Sequence, residues 1–308
     1  MTPTISVIIP AFNAAAYIAD AIRSIRAQDF APLEMLLIDD GSTDGTADVA
    51  RTEAPDARII RQANAGVAAA RNTGLREATG ELLCFLDADD GWFPGKIKAQ
   101  ADYLRQHPEV GLVYHRWLVW RPDPDGVYRL PATINQEEPG RTDPAFSGWI
   151  YPQLLRDCVV HTSTVMIRRQ IARQVGEFDT QLINGEDYDY WLRASRLCEI
   201  HKLAGLYSYY RASPLSLTSH PKPINYGYLV IDRAARTWGL TAPDGRKASR
   251  ADVNQRLHQL AMDFGYMHYR SGSADLAWRA FRTALRHHPL RWRAMFYLFA
   301  SRIKALRQ

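Results

Sequence analysis

Residues 82–90 read LLCFLDADD, an apolar run of five residues that ends in three carboxylates within four positions. A short apolar run of this kind is typical of a buried strand. Two similar runs come earlier in the chain, ISVIIP at residues 5–10 and MLLI at residues 35–38. The second of these is followed directly by Asp39 and Asp40. The pattern predicts several buried strands that end in polar or acidic groups.

Helical patterns separate these strands. The helices predicted in the first third of the chain cover residues 17–27, 46–53 and 67–78, and a further strand is predicted at 58–60. Strands that alternate with helices indicate an α/β fold with a doubly wound, mainly parallel sheet. Ligands of such sheets bind beyond the carboxyl ends of the strands. The acidic groups are therefore expected on the binding edge of the sheet.

The second half of the chain has a mixed pattern. Residues 110–120 and 159–167 are predicted strands, and residues 186–196 are a predicted helix. From residue 219 onward the chain turns helical. We therefore expect a catalytic α/β domain over residues 1–218 and a C-terminal helical extension over residues 219–308.

Composition and cysteine usage narrow the class of protein. Hydrophobic residues make up 46% of the 308 residues, enough for a sizeable core. Cys84, Cys158 and Cys198 match neither a disulfide framework nor a zinc site. No signal peptide precedes the first strand, and no apolar run approaches the ~20 residues of a membrane-spanning helix. These features predict a cytoplasmic protein.

The acidic cluster after residue 86 predicts a metal site. Asp87, Asp89 and Asp90 repel one another unless they bind something positive. Oxygen ligands of this type suit Mg²⁺ or Mn²⁺, held by one or two carboxylates together with substrate phosphates. The structural alternative is that Asp89 or Asp90 caps the helix that follows Pro94.

Two further acidic pairs have both structural and functional interpretations. Turn chemistry explains part of the segment DDGSTDGT at residues 39–46, but it does not require two adjacent acids at a strand end. Glu186 and Asp187 follow a glycine at a predicted helix start, where acidic residues favour the helix dipole. The functional interpretation of this pair is a general base for an acceptor hydroxyl.

Five segments in one order resemble the family 2 glycosyltransferases, whose fold is called GT-A. The segments are SVIIPAFNAAAYIADAIRSI (6–25), LLIDDGSTDGT (36–46), NAGVAAARNTGL (64–75), LCFLDADDGWFPGKIKAQ (83–100) and GEDYDYWLRA (185–194). The resemblance covers residues 5–218. It implies transfer of a sugar from a nucleotide diphosphate to an acceptor hydroxyl, with inversion of the anomeric centre.

The resemblance also implies which residues bind the nucleotide. Pro10 and Phe12 would line the base, and Asp40 would accept a hydrogen bond from a base N–H. An accepting carboxylate favours uracil or thymine, so the implied donor is a UDP-sugar or a dTDP-sugar. The other implied nucleotide-binding residues are Arg71, Asp87, Ala88 and Arg211.

The catalytic groups are implied in the same way. Asp89, with Asp87 beside it, would ligate the Mn²⁺ or Mg²⁺ that bridges the diphosphate. Asp187 would take the acceptor proton, with support from Glu186. Arg211 would begin a loop that closes over the diphosphate. The implied acceptor is a saccharide or a lipid-linked saccharide of the kind used in bacterial surface polysaccharide or glycolipid assembly.

One position departs from the family pattern. Many relatives carry a histidine two residues after the arginine of this loop, where the present chain has Ser213. The sequence therefore predicts no histidine contact to metal or phosphate from that position of the loop. His161 and His220 are the candidates to replace it, although a lone histidine is more often structural.

Other classes of protein fit less well. A nucleotidyltransferase would need a glycine-rich loop with a lysine or arginine after the first strand, and AFNAAA at residues 11–16 has neither. A dinucleotide-binding oxidoreductase would need a G-x-G-x-x-G segment, which is absent. A non-catalytic binding module on the same fold would be marked by loss of Asp89 or Asp187, and both are present.

The C-terminal segment is basic and apolar. The chain has a net charge of +5, and no acidic residue follows Asp275. The apolar, aromatic stretch at residues 292–300 is flanked by arginines and a lysine. A helix of this kind either lies on an anionic membrane surface or packs on the protein with its cations in solvent. We expect the first interpretation to suit a lipid-linked acceptor, and we predict no nucleic-acid partner.

Overall fold

The computed structural model describes residues 3–131, 134, 138, 140–212 and 221–306. These residues form two compact units. The first contains the described residues up to 150 together with 159–212, and the second contains 151–158 together with 221–306. The domain boundary predicted at residue 218 falls outside the described residues, so it stays a prediction.

The first unit is built on a mixed sheet of eight strands. The strands are β1 (Ile5–Ala11), β2 (Leu33–Asp39), β3 (Arg58–Arg61), β4 (Leu82–Phe85), β5 (Gly91–Trp92), β6 (Val110–Trp120), β7 (Met166–Arg168) and β8 (Glu199–Arg211). Their order across the sheet is β3-β2-β1-β4-β7-β6-β8-β5. The pairs β1–β2, β1–β4, β2–β3 and β6–β8 are parallel, and the other three pairs are antiparallel. The α/β fold predicted from the sequence is confirmed.

Helices cover the sheet and make up most of the second unit. They are α1 (Ile18–Arg26), α2 (Thr46–Glu53), α3 (Val67–Glu77), α4 (Lys96–Gln106), α5 (Tyr151–Leu154), α6 (Arg169–Val175), α7 (Glu186–Ala194), α8 (Tyr226–Trp238), α9 (Arg250–Ser271), α10 (Ala274–His287) and α11 (Trp292–Ala305). Helices α5 and α8 to α11 belong to the second unit. The helical C-terminal extension is therefore present.

Strand β1 lies at the centre of the core. All seven of its residues are buried, because β2 and β4 pair on its two sides and helices cover its faces. Helix α3 comes so close that a Cβ added at Gly74 would lie 2.2 Å from Cγ2 of Ile8. Gly74 therefore has a packing role in the middle of a helix, where glycine is otherwise unfavourable.

The predicted strand at residues 159–167 is wrong over most of its length. Only Met166 and Ile167 belong to a strand, and Thr162–Thr164 forms a short 3-10 helix. Hydroxyl side chains explain the difference, because Thr162 and Ser163 donate to carboxylates instead of lining a ladder. The capping alternative for Asp89 and Asp90 is also wrong, since the N-cap of α4 is Gly95.

The second unit exposes an apolar face. Its helices α9, α10 and α11 pack around small residues, and Phe281 of α10 stacks on Tyr297 of α11. The buried residues of α11 are Ala294 and Ser301. Most of its large apolar side chains instead point to solvent, and those exposed are Trp292, Met295, Phe296, Phe299 and Ile303, with Leu306 just after the helix. No helix in the described ranges is long and apolar enough to cross a membrane.

Candidate active site

The ends of β1, β2 and β4 meet at one edge of the sheet. The strands are parallel and in register, so their carboxyl ends lie side by side. Beyond the strands, the N–H of Asp40 donates to the carbonyl of Ala11 at 2.8 Å, and the N–H of Leu86 donates to the carbonyl of Ile8 at 3.0 Å. These bonds extend the sheet by one residue on each side. They bring the acidic groups after β2 and β4 to the same edge.

Asp40 holds the loop that precedes α3. Its Oδ1 accepts from Nε2 of Gln62 at 2.7 Å and from the N–H of Ala65 at 3.0 Å, and its Oδ2 accepts from the N–H of Gly66 at 2.8 Å. A carboxylate has about four acceptor positions, so these three bonds leave room for one more donor. The role of Asp40 toward a nucleotide base stays a prediction beside this structural one.

The loops after β1 and β2 present an aromatic ring to solvent. Pro10 is buried as the sixth residue of β1, whereas the side chain of Phe12 is 51% exposed. The N–H of Asn13 donates to the Ser42 hydroxyl at 3.0 Å, and Oδ1 of Asn13 accepts from the N–H of Thr43 at 2.9 Å. The backbone next to Phe12 is thus fixed on the loop after β2. An exposed, well-anchored ring is suited to stacking on a base.

Arg71 links two of the acidic segments. Its guanidinium donates from Nη2 to Oδ1 of Asp87 and from Nη1 to Oε1 of Glu186, each at 2.7 Å. Its side chain is only 4% exposed. The pKa of Arg71 is raised by Asp87, Glu186 and Asp187, against the opposing effect of burial. One buried cation thus interacts electrostatically with three carboxylates that come from two distant parts of the chain.

Burial, together with the surplus of carboxylates over nearby cations, raises the pKa values of three carboxyl groups. Burial, opposed by Arg71 and assisted by Asp187, raises the pKa of Glu186 to about 7. Burial and Asp87 raise the pKa of Asp89 to about 6, and burial with Asp87 and Asp89 raises that of Asp90 well above its ordinary value. An excess of buried negative charge is a place where a cation binds favourably.

Asp90 and Asp89 are tied to the end of β8 and to the 3-10 helix. Oδ2 of Asp90 accepts from the Ser163 hydroxyl at 2.5 Å, and Oδ1 accepts from the N–H of Arg211 at 3.1 Å. The Ser163 hydroxyl also accepts from the N–H of Asp87 at 3.2 Å. Both oxygens of Asp90 are therefore used within the protein, and Asp87 and Asp89 are the carboxylates left to face a ligand.

Arg211 sits in a cage of aromatic rings. Its guanidinium lies 4.4 Å from the ring centroid of Trp120, 5.0 Å from that of Tyr128 and 5.1 Å from that of Tyr17. It donates from Nη2 to Asp20 at 3.0 Å and from Nε to the carbonyl of Asp89 at 3.1 Å. The sequence predicted Arg211 but not its cage, because the rings come from widely separated segments. Ser213 and His220 lie outside the described residues.

Asp187 lies in the first turn of α7, which Gly185 begins in a left-handed conformation with φ 77°. Its Oδ2 accepts from the Thr162 hydroxyl at 3.0 Å, and its Oδ1 accepts from the N–H of Tyr188 at 2.7 Å. The side chain is half-buried. The hydroxyl of Thr162 fixes the orientation of this carboxylate, and sequence reasoning did not identify Thr162.

The donor set fits a divalent cation that also binds phosphate. No group of three or more His, Cys, Asp or Glu side chains within the described ranges is arranged to hold a metal by itself. Arg71 donates a hydrogen bond to Oδ1 of Asp87. The oxygens available to a metal are therefore Oδ2 of Asp87 and the carboxylate oxygens of Asp89. Mg²⁺ and Mn²⁺ sites completed by substrate phosphates use one or two carboxylates of this type. Ala88, buried between the two acids, contributes only its backbone at this turn.

Known proteins resemble this chain in both sequence and fold. Residues 6–152 match the family described as Glycosyl transferase family 2. An uncharacterized glycosyltransferase of Nostoc sp. is 43% identical over 115 residues, which cover 36% of each chain. WfgD of Escherichia coli, a UDP-Glc:alpha-D-GlcNAc-diphosphoundecaprenol beta-1,3-glucosyltransferase, is 28% identical over 222 residues, which cover 70% of this chain and 80% of WfgD. The structure of S. aureus TarS 1–349 with UDP-GlcNAc superposes with a TM-score of 0.62 at 19% identity, covering 98% of this chain and 88% of that one.

The sheet, its acidic edge and these likenesses define a glycosyltransferase domain of the GT-A fold. Residues 6–152 form a family 2 glycosyltransferase domain. This assignment excludes the nucleotidyltransferase and oxidoreductase alternatives. The chain spans 36% or less of the length of the Nostoc relative and of three relatives from Rickettsia species. The substrates and activity of the whole protein are therefore proposals.

Proposed function

We propose that this chain transfers a sugar from a UDP-sugar or a dTDP-sugar to an acceptor hydroxyl, with inversion of the anomeric centre. The observation that carries the proposal is the bridge made by Arg71, which joins Asp87 after β4 to Glu186 at the start of α7. This bridge holds the predicted metal-binding turn beside the predicted general base. A donor diphosphate and an acceptor hydroxyl must meet in this way for direct transfer.

The nucleotide binds beyond the ends of β1 and β2. Phe12, half-exposed on an anchored loop, stacks on the base, and Pro10 supports the strand end behind it. Asp40 offers its remaining acceptor position to a base N–H. Uracil and thymine carry such an N–H, which supports UDP or dTDP as the nucleotide.

The diphosphate lies near Asp87, Asp89 and Arg211. Asp89 and Asp87 would hold Mn²⁺ or Mg²⁺. When bound, the metal supplies positive charge that stabilises the departing diphosphate. Arg211 is fixed close by through its bond to the carbonyl of Asp89, so its cation adds to the positive charge on that side.

Asp187 acts as the general base. It removes the proton from the acceptor hydroxyl as that oxygen forms a bond to the anomeric carbon, and the bond from this carbon to the diphosphate oxygen breaks. Thr162 orients the carboxylate through its 3.0 Å hydrogen bond to Oδ2. Glu186 supports Asp187 indirectly, because it anchors the start of α7 on Arg71.

We propose a saccharide acceptor, carried on a lipid, in bacterial surface polysaccharide or glycolipid assembly. The support is the similarity to WfgD, whose printed name gives a diphosphoundecaprenol-linked sugar as its acceptor. An acceptor of that type is confined to a membrane surface. The enzyme would then work at the inner face of the cell membrane.

Helix α11 is the surface proposed for contact with an anionic membrane. Its exposed residues Trp292, Met295, Phe296, Phe299 and Ile303 fall within roughly 100° of the helix circumference, at 100° per residue. On the same 3.6-residue geometry, Arg293 and Arg302 fall on either side of this face, and α11 has no acidic residue. Each cation near an anionic surface contributes about 1 kcal/mol. The alternative in which the apolar face packs on the protein has little support, since Phe296 and Phe299 are 59% and 69% exposed.

Sedimentation with vesicles tests this contact. The wild-type chain should sediment with phosphatidylglycerol-containing vesicles at low salt and stay in solution with phosphatidylcholine alone. Phe296→Ser combined with Phe299→Ser should abolish sedimentation, whereas Leu229→Ser, at another exposed apolar position of the second unit, should not. A wild-type chain that stays in the supernatant with anionic vesicles would leave α11 as a purely structural helix.

A screen of nucleotide sugars tests the transfer itself. We expect metal-dependent release of UDP or dTDP from at least one donor by the wild-type chain and far less release by Asp187→Asn. The alternative is a non-catalytic carbohydrate-binding module on the same fold. Binding of a nucleotide sugar without any release, in both proteins, would favour that alternative.

A further inference from the structure

The imidazole of His161 lies between two aromatic rings next to the proposed base. Its ring centroid is 5.4 Å from that of Trp117, with the planes 27° apart, and 5.2 Å from that of Tyr210, with the planes 67° apart. Trp117 comes from β6 and Tyr210 from β8. Both rings are only partly buried. The three side chains form a continuous aromatic surface at the end of these strands.

This surface lies on an open part of the sheet face. In the parallel β6–β8 ladder, Trp117 pairs with Ser208 and Val119 pairs with Tyr210. Paired residues of parallel strands point to the same side, so these four side chains share one face. Val119 is exposed although it is apolar and belongs to a strand. A ligand can therefore reach the face that carries Trp117 and Tyr210.

Nδ1 of His161 has no hydrogen-bond partner in the described ranges. Nδ1 is fully enclosed and unpaired, so the ring can meet a ligand only through Nε2. Burial lowers the pKa of His161, against the opposing effect of Asp87 and Asp187, so the ring is neutral at pH 7. A neutral imidazole carries one N–H, and because Nδ1 is enclosed, only Nε2 can donate that proton to a ligand. The ring thus offers one N–H donor to a ligand.

The backbone places this donor beside the base. Thr162, the next residue, donates its hydroxyl to Asp187 at 3.0 Å, and Asp187 is close enough to His161 to act on its pKa. Ser163 continues the same turn and binds Asp90. The segment His161–Ser163 therefore connects the aromatic surface, the base and the acidic turn after β4.

We propose that His161, Trp117 and Tyr210 form the subsite for the acceptor sugar, with Nε2 of His161 donating to one of its hydroxyls. The inference rests on the proposed transfer reaction and names the residues that select its acceptor. A pyranose has apolar C–H groups that pack on aromatic rings and hydroxyls that accept hydrogen bonds. An uncharged surface with one N–H donor next to a carboxylate matches both properties. His161 is then a positioning residue, and Asp187 remains the base.

Loss of this hydrogen bond should affect acceptor use but not donor use. The probes are octyl β-D-glucopyranoside and octyl N-acetyl-β-D-glucosaminide as acceptors, with donor hydrolysis by water as the internal reference. His161→Leu should raise the KM for the pyranoside at least tenfold while the rate of donor hydrolysis stays within twofold. His161→Gln, whose side-chain amide places an N–H near the position of Nε2, should recover most of the affinity. His107→Gln, at a half-exposed histidine elsewhere in the first unit, is the control. It should change neither the KM for the pyranoside nor the rate of donor hydrolysis.

Each outcome separates this inference from the reaction on which it rests. An unchanged KM in His161→Leu overturns the subsite while leaving the transfer reaction intact. A parallel loss of hydrolysis and transfer in His161→Leu also overturns it, because the residue would then serve the donor or the fold. A wild-type chain that hydrolyses donor but transfers to neither pyranoside contradicts the saccharide subsite. A wild-type chain that neither hydrolyses nor transfers contradicts the proposed function itself.

Discussion

Replacing Arg71 by methionine should break the link between the acidic turn after β4 and the start of α7. Methionine keeps much of the length of the side chain but removes both hydrogen bonds and the charge. Asp87 and Glu186 then lose the cation that they share at 2.7 Å. Glu186 is almost fully buried and has no other cation bonded to it in the described ranges. Without that cation, Glu186 either stays as an uncompensated buried charge or must take up a proton.

The expected cost follows from burial. Removal of one partner of a buried ion pair costs about 3–5 kcal/mol, because the remaining charge stays desolvated. Arg76, five residues further along α3, provides a matched comparison. It pairs with Glu177, but the two side chains are 57% and 59% exposed. Exposed pairs contribute about 0–1 kcal/mol, so Arg76→Met should be nearly neutral.

Urea unfolding of the two variants at pH 7.5 and pH 5 measures the difference. Arg71→Met should lose several times more stability than Arg76→Met at pH 7.5. The stability lost by Arg71→Met should be smaller at pH 5, because Glu186 without its cation takes up a proton more readily. Equal losses in the two variants, or a loss in Arg71→Met that grows toward acid pH, would refute the view that Arg71 stabilises buried carboxylates.

Three further outcomes are expected. Asp187→Asn should keep donor binding but lower turnover by ~10²–10⁴, measured as nucleotide release, because a general base is worth that factor; near-normal turnover would move the base to another residue. The folded-state pKa of Glu186 is raised above its ordinary value of 4.5 to about 7, so the folded chain binds that proton more tightly than the unfolded chain. The free energy of unfolding should therefore fall as pH rises between these values. Glu186→Gln should make this fall with pH less steep in urea unfolding experiments. If the pH dependence is unchanged in Glu186→Gln, other groups cause it. Gly74→Ala should destabilise the chain by about 1–3 kcal/mol, since the new Cβ meets Ile8, and a thermal unfolding temperature that stays constant or rises would contradict this packing.

The strand ends of the active site were predictable because their signals are local. The runs that became β1, β2 and β4 are short and apolar, and acids directly follow those of β2 and β4, so the sequence places them without knowledge of the rest of the fold. The start of α7 was predictable for the same reason, since a glycine precedes two acids and a helical pattern. These segments carry most of the predicted site residues.

The connections between these segments were not predictable from sequence. Arg71 meets Glu186 across 115 positions, and Ser163 meets Asp90 across 73 positions. Neither the periodicity nor the spacing of residues predicts a side-chain hydrogen bond between residues so far apart in the chain. The run around Thr162 has the β-branched composition of a strand, and its long-range bonds to carboxylates override that preference. Strand β8 was also missed, because His201, Lys202 and Gly205 interrupt its apolar alternation.

Titration of UDP into the wild-type chain and into Asp89→Ala, each with and without Mn²⁺, tests the central claim most directly. The claim is that the acidic turn after β4 binds a metal that carries the donor diphosphate. The account predicts that Mn²⁺ strengthens UDP binding to the wild-type chain and has no such effect on Asp89→Ala, while the unfolding temperatures of the two metal-free proteins stay similar. Equal metal-dependent affinity in the two proteins would contradict it.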